Sequence, residues 1–445
     1  MKSAKKKGFQ EGDWIIATQG ANQFEGTILP TTKKGYLNLK LKSGYNVSLN
    51  QSKKIKIKKI NTPPNTTPKP KKIVSNPSLS TILILHTGGT IASRVNYETG
   101  GAFAAFSPED LLQMFPELTK KANFETKMIG NMESENMRFS HYSKIAGEIQ
   151  KGLSKKISGI IVSHGTDTMG YTSAALAFMI QKPKIPILLV GAQRSSDRGS
   201  SDSAMNLSCA TDFILKSNFA GIGICMHENS EDNACVILSP TKSRKFHTSR
   251  RDAFKSVNAN PIARIEYKTG KTIFFEKNYL HKGHSEKTIF QPKLEEKVGL
   301  LKSHPSLTPE QIKVFEKNKF KGLILEGTGL GHVPVISREE KDKTNDKNFK
   351  ALESLLKKGC IVGMTSQCIF GAVQMHVYSA GPKLQEIGVL EGKDMLAETA
   401  LVKLAWLLGN YPKKEVVKLF GKNLVGEINE RTLLENQAPQ FEGEQ

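Results

Sequence analysis

The chain has 445 residues, 38% of them hydrophobic, and a formal net charge of +22, enough length and apolar content for two or three domains with a sizeable core. No apolar run approaches the ~20 residues of a membrane span, and the basic first residues lead into no apolar stretch of a secretory signal. The five cysteines (Cys209, Cys225, Cys235, Cys360, Cys368) form no Cys-x-x-Cys pair, which excludes a zinc or disulfide scaffold and leads us to expect reduced thiols in the cytoplasm.

Charge is unevenly spread. Residues 1–80 hold 16 lysines against three acids, so 13 of the 22 net charges lie there. Such an end suits contact with nucleic acid or another anionic surface, although a general lysine bias gives the same count. Residues 1–10 read as a basic tail. Short alternating runs then follow at 13–17, 23–29, 36–41 and 46–49, separated by turn residues such as Gly35 and Ser43-Gly44. This spacing predicts a small antiparallel β-barrel over 11–60. Residues 61–79 carry prolines, Thr, Asn and Lys without apolar periodicity and read as a linker.

Beyond it, buried-strand runs (81–85, 159–163, 185–190, 222–226, 234–238) alternate with helical patterns (107–114, 141–154, 172–180, 203–216). That alternation predicts a doubly wound parallel sheet over 80–275. A polar, turn-rich connector is expected at 276–296. A second, smaller α/β domain over 297–440 has strands at 298–301, 322–325 and 360–364 and helices at 309–317, 347–358 and 397–409. The last residues, from 436 on, read as frayed.

The first strand of this set runs into His86-Thr87-Gly88-Gly89-Thr90, where two glycines let the backbone turn sharply and put Thr90 at the carboxyl edge of the sheet. The strand at 159–163 repeats the arrangement with His164-Gly165-Thr166-Asp167-Thr168-Met169. If the two strands are neighbours, Thr90, Thr166 and Asp167 share a cleft. Equally, Thr166 or Asp167 suits the N-cap of the next helix. A hydroxyl nucleophile needs a nearby base or cation, and Lys245, in the basic, hydroxyl-rich segment 241–256, is the candidate. Ser134-Glu135-Asn136-Met137 offers a hydroxyl, an acid and an amide for an amino-acid head group, or else a cap and turn. In Gly327-Thr328-Gly329-Leu330-Gly331-His332 the glycines fit neither the dinucleotide nor the Walker spacing, and His332 is either a ligand contact or a solvated loop histidine.

Thr87-Gly88-Gly89-Thr90-Ile91-Ala92 and His164-Gly165-Thr166-Asp167-Thr168-Met169 resemble the two signatures of bacterial-type L-asparaginases, and Val190-Gly191-Ala192-Gln193-Arg194 with Asn206-Leu207 resembles a further block. The resemblance implies an asparaginase-like two-domain α/β fold. It also implies Thr90 as the acylated nucleophile, Thr166, Asp167 and Lys245 as the second threonine, acid and lysine, and Ser134 and Glu135 at the head group. That family has glutamine where this chain has Glu135. Its mobile-loop tyrosine has no counterpart at matching spacing, Tyr97 being the only tyrosine nearby.

The extra N-terminal segment, with Ser134-Glu135-Asn136-Met137, His247-Thr248-Ser249-Arg250-Arg251-Asp252-Ala253-Phe254 and Thr365-Ser366-Gln367-Cys368, resembles the GatD family of the archaeal glutamyl-tRNA(Gln) amidotransferases. This implies a Tudor-like barrel ahead of the asparaginase-like part and release of ammonia from L-glutamine or L-asparagine. It further implies a homodimer within a heterotetramer whose partner, GatE, binds Glu-tRNA(Gln) and uses ATP and Mg. No cofactor or metal is expected in this chain. Two rival readings are a stand-alone cytosolic L-asparaginase with an extra domain and a non-catalytic RNA-binding protein.

Overall fold

The computed structural model describes residues 9–31, 34–41, 46–60, 75–89, 93–95, 102–104, 115–194, 200–338 and 341–431. Thr90, Tyr97, the helix expected at 107–114, most of the basic tail and most of the linker lie outside the described residues.

Five antiparallel strands form the N-terminal unit: β1 (Trp14–Gln19), β2 (Asn22–Leu29), β3 (Tyr36–Leu41), β4 (Asn46–Asn50) and β5 (Ile55–Lys59), in the order β4-β3-β2-β1-β5. Inward residues of alternating positions, Ile15, Ala17, Ile28, Leu37, Leu39 and Leu49, make its core. Alternation in the sequence marks four of these strands. The fifth, Ile-Lys-Ile-Lys-Lys, hides its period-2 pattern among lysines: Ile55 and Ile57 pack against the core while Lys56 and Lys58 are exposed. Lysines on such an edge strand also discourage pairing with another chain.

The first α/β domain is built from β6 (Thr81–Gly88), a small antiparallel ribbon of β7 (Ser93–Val95) with β8 (Ala102–Ala104), β9 (Asn123–Met132), α1 (Phe139–Leu153), β10 (Gly159–Ser163), α2 (Met169–Met179), β11 (Pro186–Val190), α3 (Ser203–Lys216), β12 (Phe219–His227), β13 (Ala234–Leu238), β14 (Ser243–Lys245), β15 (Phe254–Ser256), β16 (Ala263–Glu266) and β17 (Thr272–Phe274). Its main sheet runs β17-β16-β13-β12-β11-β10-β6-β9. The five strands from β12 to β9 are parallel, whereas β13, β16 and β17 are antiparallel. This corrects the expectation of a wholly parallel set. The few residues between β12 and β13 are too short for a crossover, which needs a dozen or more, so β13 can only turn back. The edge strand β9 is missed by periodicity because its exposed polar side, including Glu125 and Lys127, and its internal Gly130 break the apolar run.

The second domain has β18 (Val298–Lys302), α4 (Pro309–Lys317), β19 (Gly322–Gly327), α5 (Thr344–Lys357), β20 (Ile361–Ser366), α6 (Ala380–Glu386), β21 (Leu390–Glu391), α7 (Ala397–Asn410) and α8 (Lys413–Phe420), with a parallel sheet ordered β18-β19-β20-β21. The two domains share one core. Helix α2 (Met-Gly-Tyr-Thr-Ser-Ala-Ala-Leu-Ala-Phe-Met) is buried along nearly its whole length, so it must be covered on every side, by the first sheet and by α7. Phe178 stacks on Trp406 at 5.5 Å between ring centroids, and the indole N–H donates to the Gln291 carbonyl at 3.0 Å. Each such fully buried ring contributes about 1.5–3 kcal/mol by burial, which fixes one domain against the other. Among the described residues no helix is long and apolar enough to cross a membrane, and all five cysteines are free.

Candidate active site

β6 and β10 are adjacent and parallel, in a register that places His86 beside Ser163. Their carboxyl ends therefore deliver the two glycine turns side by side. Gly88 and Gly89 have φ of +109° and +84°, backbone that side chains rarely adopt. A Cβ on Gly89 would sit 2.4 Å from the nitrogen and 2.5 Å from the Cα of Gly165, so the turns pack backbone against backbone. A Cβ on Gly165 would in turn meet the Ser134 side chain at 2.7 Å. Segments distant in sequence thus close on one point because neither contact leaves room for a larger residue.

The side chains at that point form a connected set. The Lys245 ammonium, at the end of β14, donates to Thr166 Oγ1 at 2.9 Å and to Asp167 Oδ1 at 2.7 Å. Thr166 is buried, the Lys245 side chain is 15% exposed, and the Asp167 carboxylate is 62% exposed, so the acid faces solvent with the lysine behind it. The Ser134 hydroxyl accepts the Asp167 backbone N–H at 3.2 Å, and the Ser134 carbonyl accepts the Thr168 hydroxyl at 2.7 Å. These contacts decide the capping question. The N-cap of α2 is Thr168, and Thr166 and Asp167 turn their side chains to Lys245 instead. Likewise Ser134 and Glu135 sit in a separate short 3₁₀ turn, and α1 begins later, with Arg138 as its N-cap.

Glu135 lies beside Ser134 in the same turn and is exposed. His332 is held in the second domain, where Thr328 and His332 bridge and the ring meets Tyr378 edge-on at 5.2 Å. Its Nε2 is buried without a hydrogen-bond partner among the described residues, and no described contact joins it to Lys245. A cavity of about 750 Å³ opens beside Phe219–Ile222 and residues 424–431, and among the described residues Thr166, Asp167 and Lys245 do not line it.

Support from behind comes from residues whose bracing role is not legible in the sequence. Asp202, fully buried, accepts the backbone N–H groups of Gln193 and Arg194 at 3.0 Å. Asn206 donates to the Gly191 carbonyl at 3.0 Å, and its own side-chain oxygen meets His227 Nδ1 at 2.6 Å. An aspartate one residue before a helix is the main sequence signal for this brace, and it reads as an ordinary cap.

Two buried histidines flank the turns. His86 Nδ1 bonds to the Ser163 hydroxyl. His164 meets the Gly165 carbonyl through Nδ1 at 2.6 Å and the Thr172 hydroxyl through Nε2 at 2.9 Å. A carbonyl only accepts, so Nδ1 of His164 carries the proton and Nε2 accepts from Thr172. Burial lowers both rings from the ordinary histidine value of 6.5 to about 4. Above pH 6.5 both are neutral in the folded and unfolded chain, and their share of stability is complete. Between pH 6.5 and 4 the unfolded chain takes up protons that the folded one refuses, so stability falls with pH, by roughly 3 kcal/mol per ring. Urea midpoints measured across that window should therefore drop steeply, and less so in a His164→Gln variant.

Comparison with known proteins places the fold in a family. Residues 81–280 match the family described as asparaginase, N-terminal, residues 297–420 the glutaminase/asparaginase C-terminal domain, and residues 9–60 the GatD N-terminal domain. The L-asparaginase of Thermococcus kodakarensis superposes with a TM-score of 0.69 at 30% identity, covering 79% of this chain and all of that one. L-asparaginase I of Vibrio cholerae does so with a TM-score of 0.66 at 26% identity and the same coverage. The fold and the two α/β domains are thus those of the asparaginase-type amidohydrolases. Two relatives extend over nearly the whole chain. The glutamyl-tRNA(Gln) amidotransferase D chain of Methanococcus maripaludis is 42% identical over 427 residues, 95% of this chain and 99% of its own. Its counterpart from Pyrococcus abyssi is 41% identical over 441 residues, 96% and 97% respectively. The chain belongs to the GatD family of glutamyl-tRNA(Gln) amidotransferases.

Proposed function

We propose that this chain frees ammonia from the side-chain amide of glutamine, or of asparagine, through an ester on Thr90, and that the ammonia serves to convert Glu-tRNA(Gln) to Gln-tRNA(Gln) on a partner protein. The observation that carries the reading is the junction of Thr166, Asp167 and Lys245 at the carboxyl edge of β6 and β10. There the exposed Asp167 carboxylate suits the α-ammonium of an amino acid, with Glu135 in the neighbouring turn for the same ammonium and the Ser134 hydroxyl, which accepts the Asp167 N–H, left to donate to the α-carboxylate. The Thr90 hydroxyl attacks the amide carbon, the C–N bond breaks, and the hydroxyl proton leaves with the nitrogen as ammonia. Main-chain N–H groups of the glycine turns hold the developing oxyanion, for which one donor contributes about 3–4 kcal/mol in comparable sites. Water then cleaves the ester. The Lys245 ammonium donates to Thr166 Oγ1, which leaves the threonine hydrogen free to point at the ester or the incoming water.

The partner we infer is GatE, which binds the tRNA and uses ATP and Mg to activate the misacylated glutamate. The assembly would be a homodimer of this chain within a heterotetramer. The hydrolytic half needs no cofactor or metal in this chain, because hydroxyl, carboxylate and ammonium groups supply its chemistry. The test is ammonia release from glutamine and from asparagine by the purified chain, alone and with GatE and Glu-tRNA(Gln). Strong stimulation by partner and tRNA is the expected result. Full activity without them would favour a stand-alone asparaginase, and no release under any condition would sink the reading.

A further inference from the structure

Lys245 makes its hydrogen bonds within the first domain, and the segment that carries it is held by both: on the first-domain side the Ser173 hydroxyl of α2 donates to the Pro240 carbonyl at 2.7 Å, and the second domain supplies a longer set of ties. β14 is three residues long and, among the described residues, pairs only with β15, and such a ribbon is too small to fix its own position. The Thr399 hydroxyl, on α7, donates to the Thr241 carbonyl at 2.9 Å. Lys242 donates to Asp394 Oδ2 at 2.5 Å, with both side chains 2% exposed. The other Asp394 oxygen accepts the Asn429 N–H at 3.0 Å, so the carboxylate is itself fixed. Arg244 lies 3.5 Å from Glu398, and Phe246 stacks on Phe370 at 6.2 Å. On the return arm of the hairpin, Asn258 exchanges hydrogen bonds with Gly371, giving 3.1 Å to its carbonyl and 3.0 Å from its N–H. Residues on both sides of Lys245 are therefore tied to 370–371, 394 and 398–399.

Accepting the site reading above, we propose that Lys242 and Asp394 form a positioning pair through which the second domain sets the place of the Lys245 ammonium against Thr166 and Asp167. Neither residue touches the reacting groups. A buried ion pair between domains suits this task because its geometry is exacting: each charge out of water tolerates only the arrangement that satisfies the other. Lys245 stands three residues further along the same backbone, so a shift of β14 moves its ammonium by a comparable distance. Misplacement of about 1 Å costs on the order of 10²-fold in rate in well-ordered sites.

Removing one partner alone strands a buried charge and endangers folding, whereas replacing both with apolar residues of similar size is often neutral for stability. The test is therefore the double variant Lys242→Met, Asp394→Leu, with Thr399→Val as a milder second probe that leaves the ion pair intact. In the double variant kcat for glutamine should fall about tenfold or more while KM stays within about twofold, the pattern of a lost transition-state contact rather than lost binding. Thr399→Val should lower kcat in the same direction by less. A crystal structure of the double variant should show Lys245 Nζ withdrawn from Thr166 Oγ1, a change that a purely structural role for the pair would not produce. Wild-type kcat in both variants, or an unmoved Lys245 in that structure, would overturn the proposal. Should the parent chain release no ammonia at all, the functional reading falls while the crystallographic arm still decides this one.

Discussion

Lys245→Met should slow ammonia release by roughly 10²–10⁴-fold, the range removed with a positioned proton-transfer group in other enzymes. Methionine keeps much of the stem's length and its place beside β15 but removes both hydrogen bonds, to Thr166 and to Asp167. Thr166 then loses the donor that orients its hydroxyl, and Asp167 loses the cation that balances it. Because the Asp167 carboxylate remains at the mouth of the site, substrate binding should be affected less than turnover. Steady-state kinetics with glutamine check this: kcat falls, KM moves little. Near-normal kcat would show that the lysine is a structural ion-pair partner and that the chemistry lies elsewhere.

Gly89→Ala should be nearly as damaging to activity, and for a different reason. The new Cβ would fall 2.4–2.5 Å from the backbone of Gly165 at a φ of +84°, so neither the turn nor its neighbour can absorb it locally. Left-handed strain alone costs on the order of 1–3 kcal/mol for a residue other than glycine. The turns must also part, which separates Thr166 and Asp167 from whatever the first turn presents, and loss of order 10²-fold in kcat is expected from such a shift. Gly20→Ala is the control: its φ of +62° is similar, but nothing lies within 4 Å of the added carbon. That variant should lose stability by the strain alone and keep full activity. Thermal unfolding together with ammonia release on both variants separates strain from the close approach. Equal activity losses in the two would refute the packing argument.

Much of this organisation is legible before any coordinates. Periodicity locates β10, β13, α3 and α4 at their observed bounds; the two strands are apolar nearly throughout and α4 is cleanly amphipathic, whereas α3 keeps its bounds although Asn206, Thr211 and Asp212 are buried with its apolar residues. It fails where exposure mixes the pattern, as in β5 with its lysines and β9 with its polar side. It also misassigns β13 as parallel, since strand direction is set by the length of the connection rather than by the strand's own residues.

The candidate site divides along the same line. From the sequence come the residue types and their placement at strand ends: glycine turns followed by hydroxyls and an acid, and a lysine in a basic run. Those features are local, because turn chemistry and strand burial depend on neighbours a few positions away. Only the tertiary structure brings Lys245 against Thr166 and Asp167 and turns those two away from capping. Those outcomes hang on contacts across 78 or 79 positions in the case of Lys245, and 152 in the case of Lys242 with Asp394. Distances of that kind are fixed by how sheets and helices pack, which no short window of sequence encodes.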